Sequence, residues 1–157
     1  MCPDYGRAEG GKRVKAAKPK GTWKNISMIA ALAMTGLVSV MYGEWATDEE
    51  AFLAFVEEML IPNVTPGTII IMDNIPFHKT PAVKQAILRA KLKLIFLPPY
   101  SPELSPIEYM WSKVKNILKQ KAARTIGVFH QALGEALESL TDCDCESWFE
   151  DCGYIAN

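Results

Sequence analysis

No apolar run in the 157 residues approaches the roughly 18 needed to cross a bilayer. The nearest, Ile26–Met41, is broken by Ser27, Thr35, Gly36 and Ser39. Met1-Cys2-Pro3-Asp4 does not open a secretion signal, so a cytoplasmic chain with no membrane partner is expected. Histidine is scarce, with two residues, and the four cysteines (Cys2, Cys143, Cys145, Cys152) follow no zinc-ligand spacing. That argues against a zinc site and for reduced thiols. Lys and Arg are missing from residues 125–157, which carry seven acidic side chains. Residues 1–24 hold seven basic against two acidic side chains, so the net charge of −1 hides a basic end and an acidic end. Such asymmetry suggests one face toward nucleic acid and one away from it.

What is present is one domain's worth of chain, 49% apolar and 22% charged, enough for a real core. Residues 1–21 form a basic segment with Lys12, Arg13 and Lys15 at its centre, either a phosphate-contacting stretch or a solvated terminus. Thr22–Ala33 and Leu37–Trp45 predict a hairpin about Met34-Thr35-Gly36, the first strand apolar enough to be buried on both faces. Thr47, with Glu50 three residues on, predicts a capping box. The helix it opens places Phe52, Phe55, Val56, Met59 and Leu60 inward and ends before Pro62.

The centre of the chain lies between Gly67 and Lys121. Thr68–Met72 predicts a buried strand that stops on Asp73-Asn74. Lys79–Ala90 predicts a helix with Val83, Ala86, Ile87 and Ala90 on one face, and Leu92–Leu97 a second short strand halted by Pro98-Pro99. Strand, helix, strand predicts parallel pairing in an α/β sheet, whose sites form beyond the carboxyl ends of the strands. Asp73 stands at such an end. Ser105 and Pro106 predict the start of a helix carrying Glu108 in its first turn, with Ile107, Met110, Trp111, Val114 and Leu118 inward. Lys115 and Lys119 fall on the Glu108 side of that helix. Two carboxylates with little His or Cys nearby suit Mg²⁺ or Mn²⁺. Asn74 either orients Asp73 or makes an Asx turn; His78 is either structural or works beside the carboxylate. Lys113, Lys115 and Lys119 are backbone-contact candidates or a solvated face.

The DN…H motif at 73–78, LPPYSPELSPIE at 97–108 and the 34 residues between Asp73 and Glu108 resemble DDE-type transposases of the mariner superfamily, the bacterial insertion-sequence branch most closely. YGRAEGGKRV at 5–14, residues 36–60 and WFEDCGY at 148–154 extend the resemblance over essentially the whole chain. It implies a ribonuclease H-like mixed α/β sheet with flanking helices. It implies DNA strand cleavage and strand transfer at insertion-sequence ends, with two divalent ions held by three carboxylates. Asp73 is similar to the second of these and Glu108 to the third. The family's first carboxylate precedes the YGRA motif, and Asp4 has no strand ahead of it. The expectation is therefore an N-terminally truncated domain without its first strand, active when a separately encoded N-terminal half completes it, or else an inactive DNA-binding or regulatory remnant. Missing a central strand, such a chain is expected to be poorly stable or to self-associate. The last helix is expected over Thr125–Leu140, with Val128, Phe129, Ala132, Leu133, Ala136 and Leu137 inward, followed by an acidic tail whose Trp148-Phe149 covers the core.

Overall fold

Alternating small and β-branched residues around a glycine turn fold the start of the described chain into a hairpin. The computed structural model describes residues 26–122 and 125–154. The basic segment, with Lys12, Arg13 and Lys15, therefore lies outside the described residues, as does Arg124. Strand β1 (Ser27–Ala33) pairs antiparallel with β2 (Gly36–Gly43), and the register shifts between Ala31 and Leu32. Gly36 sits at φ 123°, a backbone region that side chains rarely adopt, and this closes the turn. Only Ile29 of β1 is buried, so the strand is not covered on both faces as its apolar run suggested. A two-stranded ribbon has no neighbouring strand to cover it, and Ala30, Ala31 and Ala33 bury little area themselves.

The next helix departs from its forecast at both ends. Helix α1 (Glu49–Ala54) is capped by Asp48, whose carboxylate accepts from the Ala51 N–H at 2.9 Å. Thr47 is thus not the cap, and the Thr47–Glu50 capping box does not form; Asp48 caps as well as Thr and lies one residue nearer. From Phe55 to Leu60 the helix widens into a π-helical turn, and Ile61–Asn63 then tightens to 3₁₀. Pro62 has no N–H and its ring would crowd the carbonyl four residues back, so a regular α-helix cannot run on through it. The widened turn brings Leu60 inward beside Phe55 and Val56, while Met59 is only partly covered.

Strand β3 (Ile69–Met72), helix α2 (Pro81–Arg89) and strand β4 (Lys93–Phe96) form the expected parallel unit, with Ile69 opposite Lys93 and Met72 opposite Phe96. Thr80 caps α2 and Pro81 opens it, so a single 3₁₀ turn (Pro76–Lys79) precedes the helix rather than extending it. Helix α2 ends in a Schellman motif. Lys91 takes φ 59°, Lys91 N–H donates to Leu88 O at 2.9 Å and Leu92 N–H to Ile87 O at 3.1 Å. Lys91 O then accepts from Gly67 N–H at 2.8 Å, and Lys93 N–H donates to Thr68 O at 2.9 Å. The helix end therefore sets the register of β4 against β3. Phe55, Val56, Val83 and Ile87 are the centre of this core, each no more than 2% exposed. Burying each contributes about 1.5–3 kcal/mol. Ile69, Ile71 and Ile95 are exposed on the opposite face, so this strand pair is covered on one side, not both.

Among the described residues the four strands form two separate two-stranded sheets, not one. By its contacts the chain divides into two compact units, which among the described residues are 26–109 with 141–154, and 110–122 with 125–140. In the first lie both strand pairs and helix α5 (Asp142–Asp151), which follows α3 (Pro106–Lys121) and α4 (Ile126–Glu138) in the chain. The acidic tail is thus a helix, opened by a capping box between Thr141 and Asp144. Cys145 and Cys152 are its buried residues, with Trp148 and Phe149 half-buried. The second unit joins α3 to α4, with Met110, Val114 and Leu118 of one and Ala132, Leu133 and Ala136 of the other buried. Val128, expected inward, is exposed in the first turn of α4.

Candidate active site

Asp73 is the first residue past β3. The ladder runs one step beyond β4, where Leu97 N–H donates to Met72 O at 2.8 Å, so the Asp73 side chain leaves the sheet at the carboxyl edge of the parallel pair. Its carboxylate is 54% exposed and free to meet a ligand. His78 Nδ1 lies 2.6 Å from Asp73 Oδ1. The imidazole itself is buried against aromatics. Its centroid is 3.9 Å from that of Phe52 on α1 and 4.8 Å from that of Phe77, the latter edge-on. Nδ1 finds no well-aligned acceptor among the described residues, so the contact with Asp73 is one of proximity and charge. Burial pushes the His78 imidazolium below its ordinary pKa, and the Asp73 charge opposes that shift. The histidine is thus a half-buried ring packed on aromatics, with Nδ1 beside the Asp73 carboxylate.

Asn74 follows Asp73 and is half-buried. Glu108 lies in the first turn of α3, exposed, eleven residues beyond Leu97 in the chain. Glu108, Lys115 and Lys119 are all exposed and spaced along one side of α3, as the helical step demands. Lys113 departs from the expected backbone-contact set. It is half-buried, and its Nζ donates to Ser139 O at 3.0 Å. Lys121 Nζ likewise holds Glu135 at 2.5 Å, which keeps the Glu135 carboxyl below the usual range. Helix contacts therefore use part of the basic helix end.

The loop between β4 and α3 was legible as rigid but not as anchored. Tyr154, just past α5, donates its hydroxyl to Leu104 O at 2.8 Å. No spacing in the sequence announces that pair, 50 residues apart. The aromatic setting of His78 had one signal, Phe77 beside it, and its main partner Phe52 had been assigned only to the core.

The chemistry of the donors fits a hard divalent cation. Asp73 and Glu108 offer oxygen alone, and Mg²⁺ binds through one or two carboxylates while keeping waters and substrate phosphates as further ligands. Among the described residues no group of three or more His, Cys, Asp or Glu side chains comes together to hold a metal.

A parallel β–α–β unit with an exposed carboxylate at its edge, in one unit with an antiparallel hairpin, is a mixed α/β arrangement compatible with a ribonuclease H-like fold. The chain belongs to the DDE superfamily endonuclease family, whose model matches residues 1–127. Its fold is similar to the Mos1 strand transfer complex at TM-score 0.79 and 15% identity, over 97% of this chain and 47% of that one. It is also similar to the catalytic domain of Mos1 mariner transposase at TM-score 0.63 and 14% identity, over 80% of this chain and 66% of that one. A 48-residue stretch is 38% identical to the uncharacterized protein y4pE/y4sA of Sinorhizobium fredii (strain NBRC 101917 / NGR234), covering 31% of this chain and 33% of that protein. The chain thus spans about a third of that curated relative and about half of the full Mos1 chain. No helix among the described residues is long and apolar enough to cross a membrane.

Proposed function

We propose that this chain is the catalytic-domain portion of a bacterial insertion-sequence transposase, a single partial domain that cuts DNA at element ends and transfers the strand. The observation that carries the reading is Asp73 at the carboxyl edge of β3, beside His78, with Glu108 in the helix that follows β4. Family membership supports it. Asp73 and Glu108 would hold Mg²⁺ or Mn²⁺, two ions in the complete site. Bound there, the metal lowers the pKa of an attacking hydroxyl or water and stabilises the leaving oxygen. His78 acts by fixing the Asp73 carboxylate, and Asn74 by orienting it. Lys115 and Lys119 face the phosphates along the Glu108 side of α3, and Lys12, Arg13 and Lys15 are further candidates for backbone contact. A third carboxylate comes from outside the described residues, on an N-terminal segment or a second chain. The protein works in the cytoplasm, at the nucleoid.

A second reading is a DNA-binding or regulatory remnant that no longer cuts; both readings share the lack of a three-ligand cluster among the described residues. One experiment separates the two. Nicking of duplex DNA is measured with Mg²⁺ or Mn²⁺, for the chain itself and for its fusion to the coding sequence upstream of Met1. Under the first reading the metal is required, and Asp73→Ala or Glu108→Ala slows nicking about 100-fold or more, matching the several kcal/mol a metal supplies. Salt-sensitive binding with no nicking by either protein would establish the second reading instead.

A further inference from the structure

Tyr100 is the most exposed large hydrophobic side chain among the described residues, at 101% of its reference area, and its backbone holds φ 57°. That left-handed conformation is unfavourable for a residue with a Cβ, and bulky residues in it are outliers whose strain calls for a functional explanation. The residues around it are rigid. Pro98, Pro99 and Pro102 fix three φ angles of the loop. Ser101 Oγ donates to Pro99 O at 3.4 Å, and Leu104 N–H and Ser105 N–H close the 3₁₀ turn at Pro102–Leu104 with bonds of 3.2 and 3.0 Å. Tyr154 anchors the far end through Leu104 O. A core residue would be folded inward by such a loop. Here the stiff loop does the reverse and stands an aromatic ring clear of the protein. It does so between β4, the parallel partner of the strand that Asp73 follows, and α3, which bears Glu108: Tyr100 lies four residues beyond β4 and six before α3.

We propose that Tyr100 is a base-stacking residue, which packs its ring on an unstacked DNA base beside the phosphate to be cut. The inference rests on the endonuclease reading given above and adds to it a contact with a base. Every base presents a π-face, so an aromatic ring held out in water takes one without regard to sequence. A pre-ordered ring loses little freedom on binding, which is what the prolines and the strained Tyr100 backbone provide. A cut near a strand end leaves bases partly unpaired, and those are the least costly to capture.

The test uses the full chain in EDTA, so that binding is read without cutting. The probe is a short duplex with a three-nucleotide overhang, compared with the same duplex whose overhang nucleotides are abasic. Tyr100→Ala is expected to weaken binding to the first at least about fivefold, the low end of what one stacked base contributes, and to leave the abasic probe unchanged. Tyr100→Trp is expected to restore the affinity. Tyr100→Gly, which removes the backbone strain as well as the ring, is expected to match Tyr100→Ala. Equal binding by wild type and Tyr100→Ala to both probes overturns the inference, and if wild type still nicks DNA with Mg²⁺ the endonuclease reading survives it. Equal loss on both probes also overturns it and assigns Tyr100 to the backbone. Loss of self-association in Tyr100→Ala, with DNA binding intact, overturns it in favour of a contact between protein chains. If neither the wild-type chain nor its fusion to the upstream coding sequence binds or nicks DNA, both readings fall together.

Discussion

His78 is a half-buried ring beside a surface carboxylate. It packs against both Phe52 and Phe77 and lies 2.6 Å from Asp73. His78→Ala is expected to cost about 1–2 kcal/mol of stability from lost packing, read as a shift in the urea midpoint. Because burial holds its folded pKa below the ordinary 6.5, the unfolded chain binds more protons below pH 6.5. The His78 contribution is then complete above pH 6.5 and is lost as pH falls through the window beneath it. The wild-type midpoint should therefore drop between pH 7.5 and pH 5.5 by more than that of His78→Ala. Lysines divide along α3 in a way the sequence did not foretell. Lys115→Ala and Lys119→Ala should each lower the salt slope of DNA binding by about 1, whereas Lys113→Ala, whose amine is bonded to Ser139, should leave the slope unchanged. The places of Asp73 at a strand end, Glu108 in a first helical turn and Lys115 and Lys119 on an exposed helix side were all legible from local sequence. Lys113 was not, because its partner lies 26 residues away.

At the scale of elements, the strands and helices could be read wherever period and punctuation agreed. The β3–α2–β4 unit and the start of α3 followed from apolar runs closed by Asp73-Asn74, Pro98-Pro99 and Pro106. Helix α5 was not legible although its signal was present: Cys145, Trp148, Phe149 and Cys152 repeat at helical spacing, but five acidic residues between Asp142 and Asp151 give the stretch the composition of a solvated tail. The cap of α1 was misplaced by one residue, since Thr47 and Asp48 are both good caps. Asp48→Ala should cost about 1 kcal/mol and Thr47→Ala should cost nothing measurable, compared by thermal or urea unfolding. Lys91 gives the opposite case. A lysine occupies the left-handed position of the Schellman motif where glycine is favoured, so Lys91→Gly should stabilise the chain by about 0.5–1 kcal/mol. Loss of stability in that variant would mean the lysine stem contributes more packing than its backbone costs.

For the molecule as a whole, the fold class was legible because a βαβ unit admits few arrangements. How the strands divide into sheets was not, because pairing is decided by neighbours that a single strand's sequence does not name. The described strands form two pairs, and the parallel pair leaves Ile69, Ile71 and Ile95 open on one face. Parallel strands are ordinarily covered on both faces, and two-stranded sheets are marginal alone. Unpaired edges with apolar side chains recruit further strands or further copies. The purified chain is therefore expected to self-associate at micromolar concentration and to melt below about 55 °C. Ile69→Thr with Ile71→Thr, which keeps β propensity and removes apolar area from the open face, should shift light scattering toward monomer. A monomeric wild-type chain that melts cooperatively above about 55 °C would show that the open face is not a liability, and that the two pairs are stable as they stand.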